Sequence, residues 1–143
     1  MKALIDTCIM IDALQAREPF FDDAENLLIA AANGEYEGVI SSKSILDIYY
    51  LIHRYTKSDS KTRDYISKIL RLFEVCDTTA DDVEKAVLSD ISDYEDAVMS
   101  MTAKRVCADV IVTRNIKDFS KSKVTAILPS DFLLMLDGEE GDR

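Results

Sequence analysis

Five polar side chains stand where the sequence makes chemistry plausible: Asp6, Asp47, Asp96, Asn115 and Asp118. Asp6 directly follows Lys2-Ala3-Leu4-Ile5, an apolar run that reads as a buried strand. The carboxyl end of a first parallel strand is where open α/β sheets hold their ligands. Asp47 lies about one turn into a predicted helix with apolar neighbours Ile45, Leu46 and Ile48, and a lone acid buried there would cost stability. Asp96 falls in the first turn of a helix leading to a fourth strand, and Asn115 and Asp118 follow that strand. Carboxylates brought together repel, and one takes up a proton unless a cation is present. Oxygen donors without His or Cys suit Mg²⁺ or Mn²⁺ rather than zinc. Such a site activates water and stabilises the leaving oxygen in phosphodiester hydrolysis. Thr7 beside Asp6, with Arg114 and Lys117 near the fourth-strand end, would contact the phosphate of a substrate.

Each residue also has an ordinary reading. Asp93 and Asp96 are first-turn acids of the kind a helix dipole favours. Asp47 could face solvent, Asn115 is a common turn residue, and Asp118 could cap the next turn. Glu95 neighbours Asp96 but is expected on a different helix face. Tyr49, Tyr50 and Tyr55 could stack on bases, although at helical spacing beside Ile45 and Ile52 they read rather as core or a dimer surface. His53 has no arranged nucleophile to serve as a base.

The elements that must position these residues follow from apolar periodicity and capping signals. After the first strand, a helix-like stretch starts at Cys8. Pro19 to Asp23 reads as a turn and helix start, Ala24 to Ala32 as helix, and Asn33-Gly34 as its stop. A second strand is predicted at Glu37-Gly38-Val39-Ile40, with Ser41-Ser42 as the cap of a helix from Lys43 to Tyr55. A polar break at residues 56–60 precedes another helix, and Phe73 to Cys76 is the third strand. Thr78 to Asp82 and Asp90 to Asp93 read as two capped helix entries. Ala108 to Thr113 is the fourth strand, Val124 to Ile127 a fifth, edge-like one, and a last helix runs from Pro129 through Leu136. Strands alternating with helices indicate an α/β fold with a parallel sheet covered on both faces. Right-handed crossovers would bring the ends of strands one, two and four to one edge. The expected organisation is a single domain over 1–137 and a polar tail over 138–143.

A chain of 143 residues, 48% hydrophobic, can bury a core without disulfides or a structural metal. No apolar run approaches the ~18 residues that span a bilayer, and the N-terminus lacks the pattern of a secretory signal. The three cysteines, Cys8, Cys76 and Cys107, suggest reduced core thiols in a cytoplasmic protein. The net charge of −10 argues against a polyanionic partner, but its distribution does not. Residues 43–71 carry seven Lys/Arg against three acids and residues 104–123 carry six against two, leaving −18 on the rest.

The segments Leu4-Ile5-Asp6-Thr7-Cys8-Ile9-Met10-Ile11-Asp12, Ser44-Ile45-Leu46-Asp47-Ile48-Tyr49-Tyr50-Leu51, Asp93-Tyr94-Glu95-Asp96-Ala97 and Thr113-Arg114-Asn115-Ile116-Lys117-Asp118-Phe119 resemble, in order, the four motifs of PIN-domain nucleases of the toxin-like, VapC type. The resemblance spans essentially the whole chain. It implies a three-layer α/β/α sandwich on a five-stranded parallel sheet, and a Mg²⁺- or Mn²⁺-dependent ribonuclease, commonly the toxin of a toxin–antitoxin pair and commonly a homodimer. Carried over by position, it makes Asp6 and Asp96 direct metal ligands and Asp47 the second acid, with Asn115 and Asp118 sharing the fourth place. The chain departs from the motifs in Cys8, where Asn is frequent, and in Asp47, where Glu is usual.

Two other classes compete. A phosphoacceptor receiver domain also has an acid after its first strand, and Asp77 follows strand three here. Leu128-Pro129 nevertheless stands after strand five, where a Lys is expected. A non-catalytic binding protein on the same fold is the other, motivated by the shorter acid at Asp47.

Overall fold

The computed structural model describes residues 1–141. Five strands, β1 (Lys2–Ile5), β2 (Glu37–Ser41), β3 (Glu74–Cys76), β4 (Val110–Val112) and β5 (Thr125–Ile127), form one sheet. Its order is β3-β2-β1-β4-β5, and every pairing is parallel. The chain builds outward from β1 through β2 to β3, then crosses back to lay β4 on the free side of β1. The reversal of direction opens a crevice at the carboxyl ends of β1 and β4, the location open α/β sheets use for ligands.

The two-residue period of the strands sorts their side chains into two cores. Ala3, Ile5, Ile40, Val110 and Val112 face one layer, where they meet Ile9, Leu27, Ile48, Ile52 and Phe132. That layer contains α1 (Thr7–Leu14), α2 (Phe21–Ala32), α3 (Ser42–Thr56), α4 (Asp59–Leu72) and α7 (Pro129–Gly141). Leu4, Val39 and Ile111 face the other, against Ala103, Phe119 and Val124. There α6 (Tyr94–Arg105) covers the sheet, and α5 (Ala80–Val87) packs on α6 through Ala86, Ile91 and Ala97. The three-layer α/β/α sandwich expected from the sequence is therefore present.

Capping explains most helix starts. Ser41 accepts the Ser44 N–H at 3.1 Å and opens α3. Thr79 and Asp82 form a reciprocal capping box on α5, and Asp93 accepts the Asp96 N–H at 3.0 Å to open α6. A side chain at Gly38 would overlap the ring of Phe73, so the close approach of β2 to the end of α4 requires glycine there.

Two boundaries and the setting of one cysteine differ from expectation. The polar break before α4 narrows to residues 57–58, because Lys57 takes a left-handed conformation (φ 55°) and Ser58 immediately caps the next helix. Helix α7 runs to Gly141 rather than ending near Leu136, since Leu136 is buried and extending an anchored helix costs little. Of the expected tail at 138–143, residues 138–141 are thus helical, and 142–143 lie outside the described residues. Cys107 is exposed rather than a core thiol. It occupies the left-handed position (φ 58°) just past α6, where its N–H reaches Lys104 O at 3.1 Å and the Ala108 N–H reaches Ala103 O at 2.9 Å, a helix-terminating arrangement.

Candidate metal centre

Asp6 leaves β1 with its N–H bonded to Val112 O at 3.0 Å, which locks the residue to the end of β4. Its side chain is only 6% exposed. The Thr113 hydroxyl donates to Asp6 Oδ2 at 2.7 Å, and Cys8 Sγ approaches the same oxygen at 3.4 Å. Burial pushes the Asp6 carboxyl up, against the pull of the Thr113 and Cys8 hydrogen bonds, the Thr7 N–H and the charge of Arg114. Cys8 itself is pushed up to about 12 by burial and by the Asp6 charge, so it stays a thiol. The residue standing in place of the motif's Asn therefore acts on Asp6 by hydrogen bonding.

Asp96 enters the same cleft from α6. Its carboxyl is pushed up to about 7, first by burial and then by the charges of Asp93, Asp6, Asp118 and Glu95. Four carboxylates thus act electrostatically on Asp96, two of them from other elements. The cleft has a volume of about 690 Å³, and Asp6, Thr7, Asp47, Glu95, Asp96 and Asn115 all contribute to its lining. Asp118 lies in the 3₁₀ turn Ile116–Phe119, outside that lining but close enough for its charge to act on Asp96.

The remaining predicted residues are placed less simply. Asp47 is not a lone buried acid. Its side chain is 39% exposed and ion-paired with Lys43, one turn earlier on α3. Lys43 also reaches Glu95 at 3.2 Å, so Glu95 faces the cleft and not away from it. Helix α6 starts at the cleft mouth, where neighbouring first-turn residues both reach the opening. Thr7 donates its hydroxyl to Ser44 at 2.9 Å, tying the residue after Asp6 to the capped start of α3. Arg114 is committed: Nε and Nη2 donate to Asp12 at 2.6 and 3.1 Å, and the guanidinium lies 4.0 Å over the Phe20 ring. Lys117 is exposed and does not line the cleft. His53 stacks on Tyr49 at 5.6 Å and takes no part in the site.

Sequence reasoning about individual roles missed Asp12, Lys43 and Thr113. Asp12 is 0% exposed within α1, and a charge on an otherwise apolar helix face was the available signal that it has a buried partner. Lys43 and Asp47 have i,i+4 spacing, but Glu95 joins them only in three dimensions.

Among the described residues, no three His, Cys, Asp or Glu side chains are already gathered as a cage for a metal ion. The donors fit an open site better. Mg²⁺ is commonly held by one or two carboxylates while keeping several waters, and the cleft offers Asp6 and Asp96 with the side-chain oxygens of Asp47, Glu95 and Asn115 also in its lining. Burial raises both carboxyls, and at Asp96 the charges of Asp93, Asp6, Asp118 and Glu95 add to it, so a cation would favour their ionised forms. The residues therefore fit a hard divalent ion.

A family model for the PIN domain matches residues 2–117. A search of curated proteins gave no match. Among solved structures, the chain is similar to a toxin–antitoxin complex from Klebsiella pneumoniae at 24% identity and TM-score 0.67, covering 89% of this chain and 97% of that one. It is similar to VapBC2 from Rickettsia felis, bound to a promoter DNA fragment, at 19% identity and TM-score 0.65, covering 90% and 98%. VapC20 of Mycobacterium tuberculosis, described as a sarcin–ricin loop cleaving toxin, shares 15% identity at TM-score 0.59 over 76% and 86%. These likenesses carry the fold, and the match across 2–117 carries the family: the chain belongs to the PIN-domain family.

Proposed function

We propose that this protein is a Mg²⁺- or Mn²⁺-dependent endoribonuclease, with Asp6 and Asp96 as the ligating carboxylates and Asp47, Asn115 and Asp118 completing the polar surround. One observation carries the reading: Asp96 shares a cleft with buried Asp6 and is held near neutrality by burial and neighbouring carboxylates. A bound divalent ion would supply an activated water and stabilise the leaving oxygen. The chain's own residues hold the acids in place. Thr113 and Cys8 fix the rotamer of Asp6, Asp12 holds Arg114 so that its charge acts on Asp6, and Lys43 holds Asp47 beside Glu95.

A toxin role with a cognate antitoxin is supported by two of the similar structures named above, the toxin–antitoxin complex of Klebsiella pneumoniae and the VapC20 toxin. A homodimer is supported by α3, whose Leu46 and Tyr50, one turn apart on one face, are 71% and 67% exposed. No helix of the described residues is long and apolar enough to cross a membrane, and three free cysteines suit the reducing cytoplasm.

RNA cleavage that needs Mg²⁺ or Mn²⁺, stops with EDTA and is lost in Asp6→Asn and in Asp96→Asn is the expected result; cleavage persisting in both variants would overturn the site. The Lys43 bridge favours a second reading, a non-catalytic binding protein, because Lys43 already neutralises two acids of the cleft. Calorimetric titration with Mn²⁺ separates them, since absence of binding at millimolar metal favours the second.

A further inference from the structure

A second cavity of about 600 Å³ is lined from α6 by Ser100, Met101, Lys104 and Arg105, none of which lines the Asp6–Asp96 cleft. It is enclosed by α5, α6 and the segment joining the 3₁₀ turn to β5. Its rim carries Lys85, Lys104, Arg105, Lys121 and Lys123. Two of these cations are engaged, Lys85 with Asp81 at 2.9 Å and Arg105 with Asp82 at 3.0 Å. Lys104, Lys121 and Lys123 make no ion pair among the described residues. Of the carboxylates lining the cavity, Asp90 alone is left to oppose them.

Lys104 and Lys123 face each other. The close approach of Lys123, its charge and the more distant charge of Lys85 hold the Lys104 ammonium below the ordinary lysine range. In a chain of net charge −10, the two ammonium groups form a local concentration of positive charge. The cavity wall also offers a hydroxyl: Ser100 is 2% exposed and shares a 2.5 Å hydrogen bond with Ser122. Ammonium groups are compact point charges with three rotatable donors, well matched to the oxygens of a phosphate. Helix α6 joins the two cavities. Asp96 lies in its first turn and Lys104 eight residues on, a rise of about 12 Å.

We propose that the cavity bounded by Lys104, Lys121 and Lys123 is a phosphate-binding site for the backbone of an RNA strand engaged at the Asp6–Asp96 cleft. The identity of the strand rests on the nuclease reading above. The site anchors substrate away from the cleavage point and adds affinity without base preference.

The test is binding of a fluorescein-labelled single-stranded RNA to the full chain in EDTA, followed by anisotropy across a salt series. Lys104→Gln/Lys123→Gln is compared with Lys61→Gln/Lys68→Gln, which removes the same charge from α4. The first pair is expected to weaken binding about tenfold at low salt and to flatten the salt slope by about 1.4, the loss of two phosphate contacts. The second pair is expected to leave both unchanged. Equal weakening by both pairs, or weakening by neither, overturns the proposal. Inorganic phosphate is expected to displace RNA no better than chloride at matched ionic strength; full displacement at low millimolar phosphate would assign the cavity to a small phosphate and overturn the RNA assignment. Thermal melts of the variants report folding directly. Cleavage in Mg²⁺ is scored separately: RNA binding that depends on Lys104 and Lys123 without cleavage removes the nuclease reading alone, and cleavage with binding indifferent to them removes this proposal alone.

Discussion

Replacing Asp96 by Asn should stabilise the metal-free protein at alkaline pH. The Asp96 carboxyl is pushed up to about 7 by burial and by Asp93, Asp6, Asp118 and Glu95, whereas in the unfolded chain it titrates near 3.9. The folded state therefore keeps the proton that the unfolded chain has lost, and stability falls as pH rises from about 4 to 7, then levels. A displacement of that size corresponds to about 4 kcal/mol in the limit, and partial exposure reduces it to about 2 kcal/mol. Removing a first-turn charge forfeits about 0.5 kcal/mol of helix-dipole stabilisation. The variant should thus gain about 1.5 kcal/mol at pH 8, or about 4 °C in Tm for a chain of this size, and nothing at pH 3.5. Thermal and urea unfolding in EDTA at both pH values measure this. Adding Mn²⁺ should then raise the Tm of the wild type and leave the variant unmoved. A variant that melts below the wild type at pH 8, or a gap equal at both pH values, would refute the idea that repulsion at Asp96 is stored in the metal-free fold.

Other parts of the structure yield further expectations. Asp82 is 1% exposed and accepts from Thr79 N, Thr102 Oγ1 and Arg105; burial pushes its carboxyl up, but Arg105, Thr79 and Thr102 outweigh that and hold it below its usual value. Arg105→Met should therefore cost about 3 kcal/mol at pH 7, measured by urea unfolding, with the loss shrinking as pH falls through the carboxylate range. Asp12→Asn leaves Arg114 without its buried counter-charge and should cost a similar, about 3 kcal/mol; retention of wild-type Tm would show the pair to be dispensable. Gly38→Ala drives a methyl into Phe73 and should destabilise by about 1–3 kcal/mol, read from the urea midpoint. Leu46→Glu with Tyr50→Glu should convert a dimer to a monomer in light scattering without lowering Tm, and an unchanged mass would remove the α3 surface from the dimer.

The sheet was legible because its signals are local. Runs such as Leu4-Ile5 and Val110-Ile111-Val112 are apolar on both faces, as buried parallel strands must be, and the caps at Ser41, Thr79 and Asp93 mark helix starts through side chains adjacent in sequence. Asp6 and Asp96 were legible for the same reason, each standing at an element end whose type could be read. The setting of Asp47 was not. Its apolar neighbours at Ile45 and Ile48 suggested burial, yet a helix rim facing a cleft carries the same sequence as a helix stripe facing a core. The Lys43–Glu95 contact joins residues 52 apart in sequence, and no periodicity signals it.

Charge shows the same limit more sharply. The windows 43–71 and 104–123 have equal excesses of positive charge in sequence, but pairing divides them differently. In the first, Lys43 is held by Asp47 and Glu95, and Arg63 by Asp59. In the second, Arg105 and Arg114 are spent on the buried carboxylates of Asp82 and Asp12. Both of those acids lie outside the window, so counting within it overstates the charge available to a ligand. What survives is Lys104, Lys121 and Lys123 around one cavity and Lys117 on the neighbouring turn. Arginine, with its planar fork, has been used where a buried carboxylate needs two directed bonds, and lysine has been left where a mobile point charge can meet an anion. Within 104–123 the residue type, and not the window sum, separates the cations paired with buried acids from those free of ion pairs among the described residues.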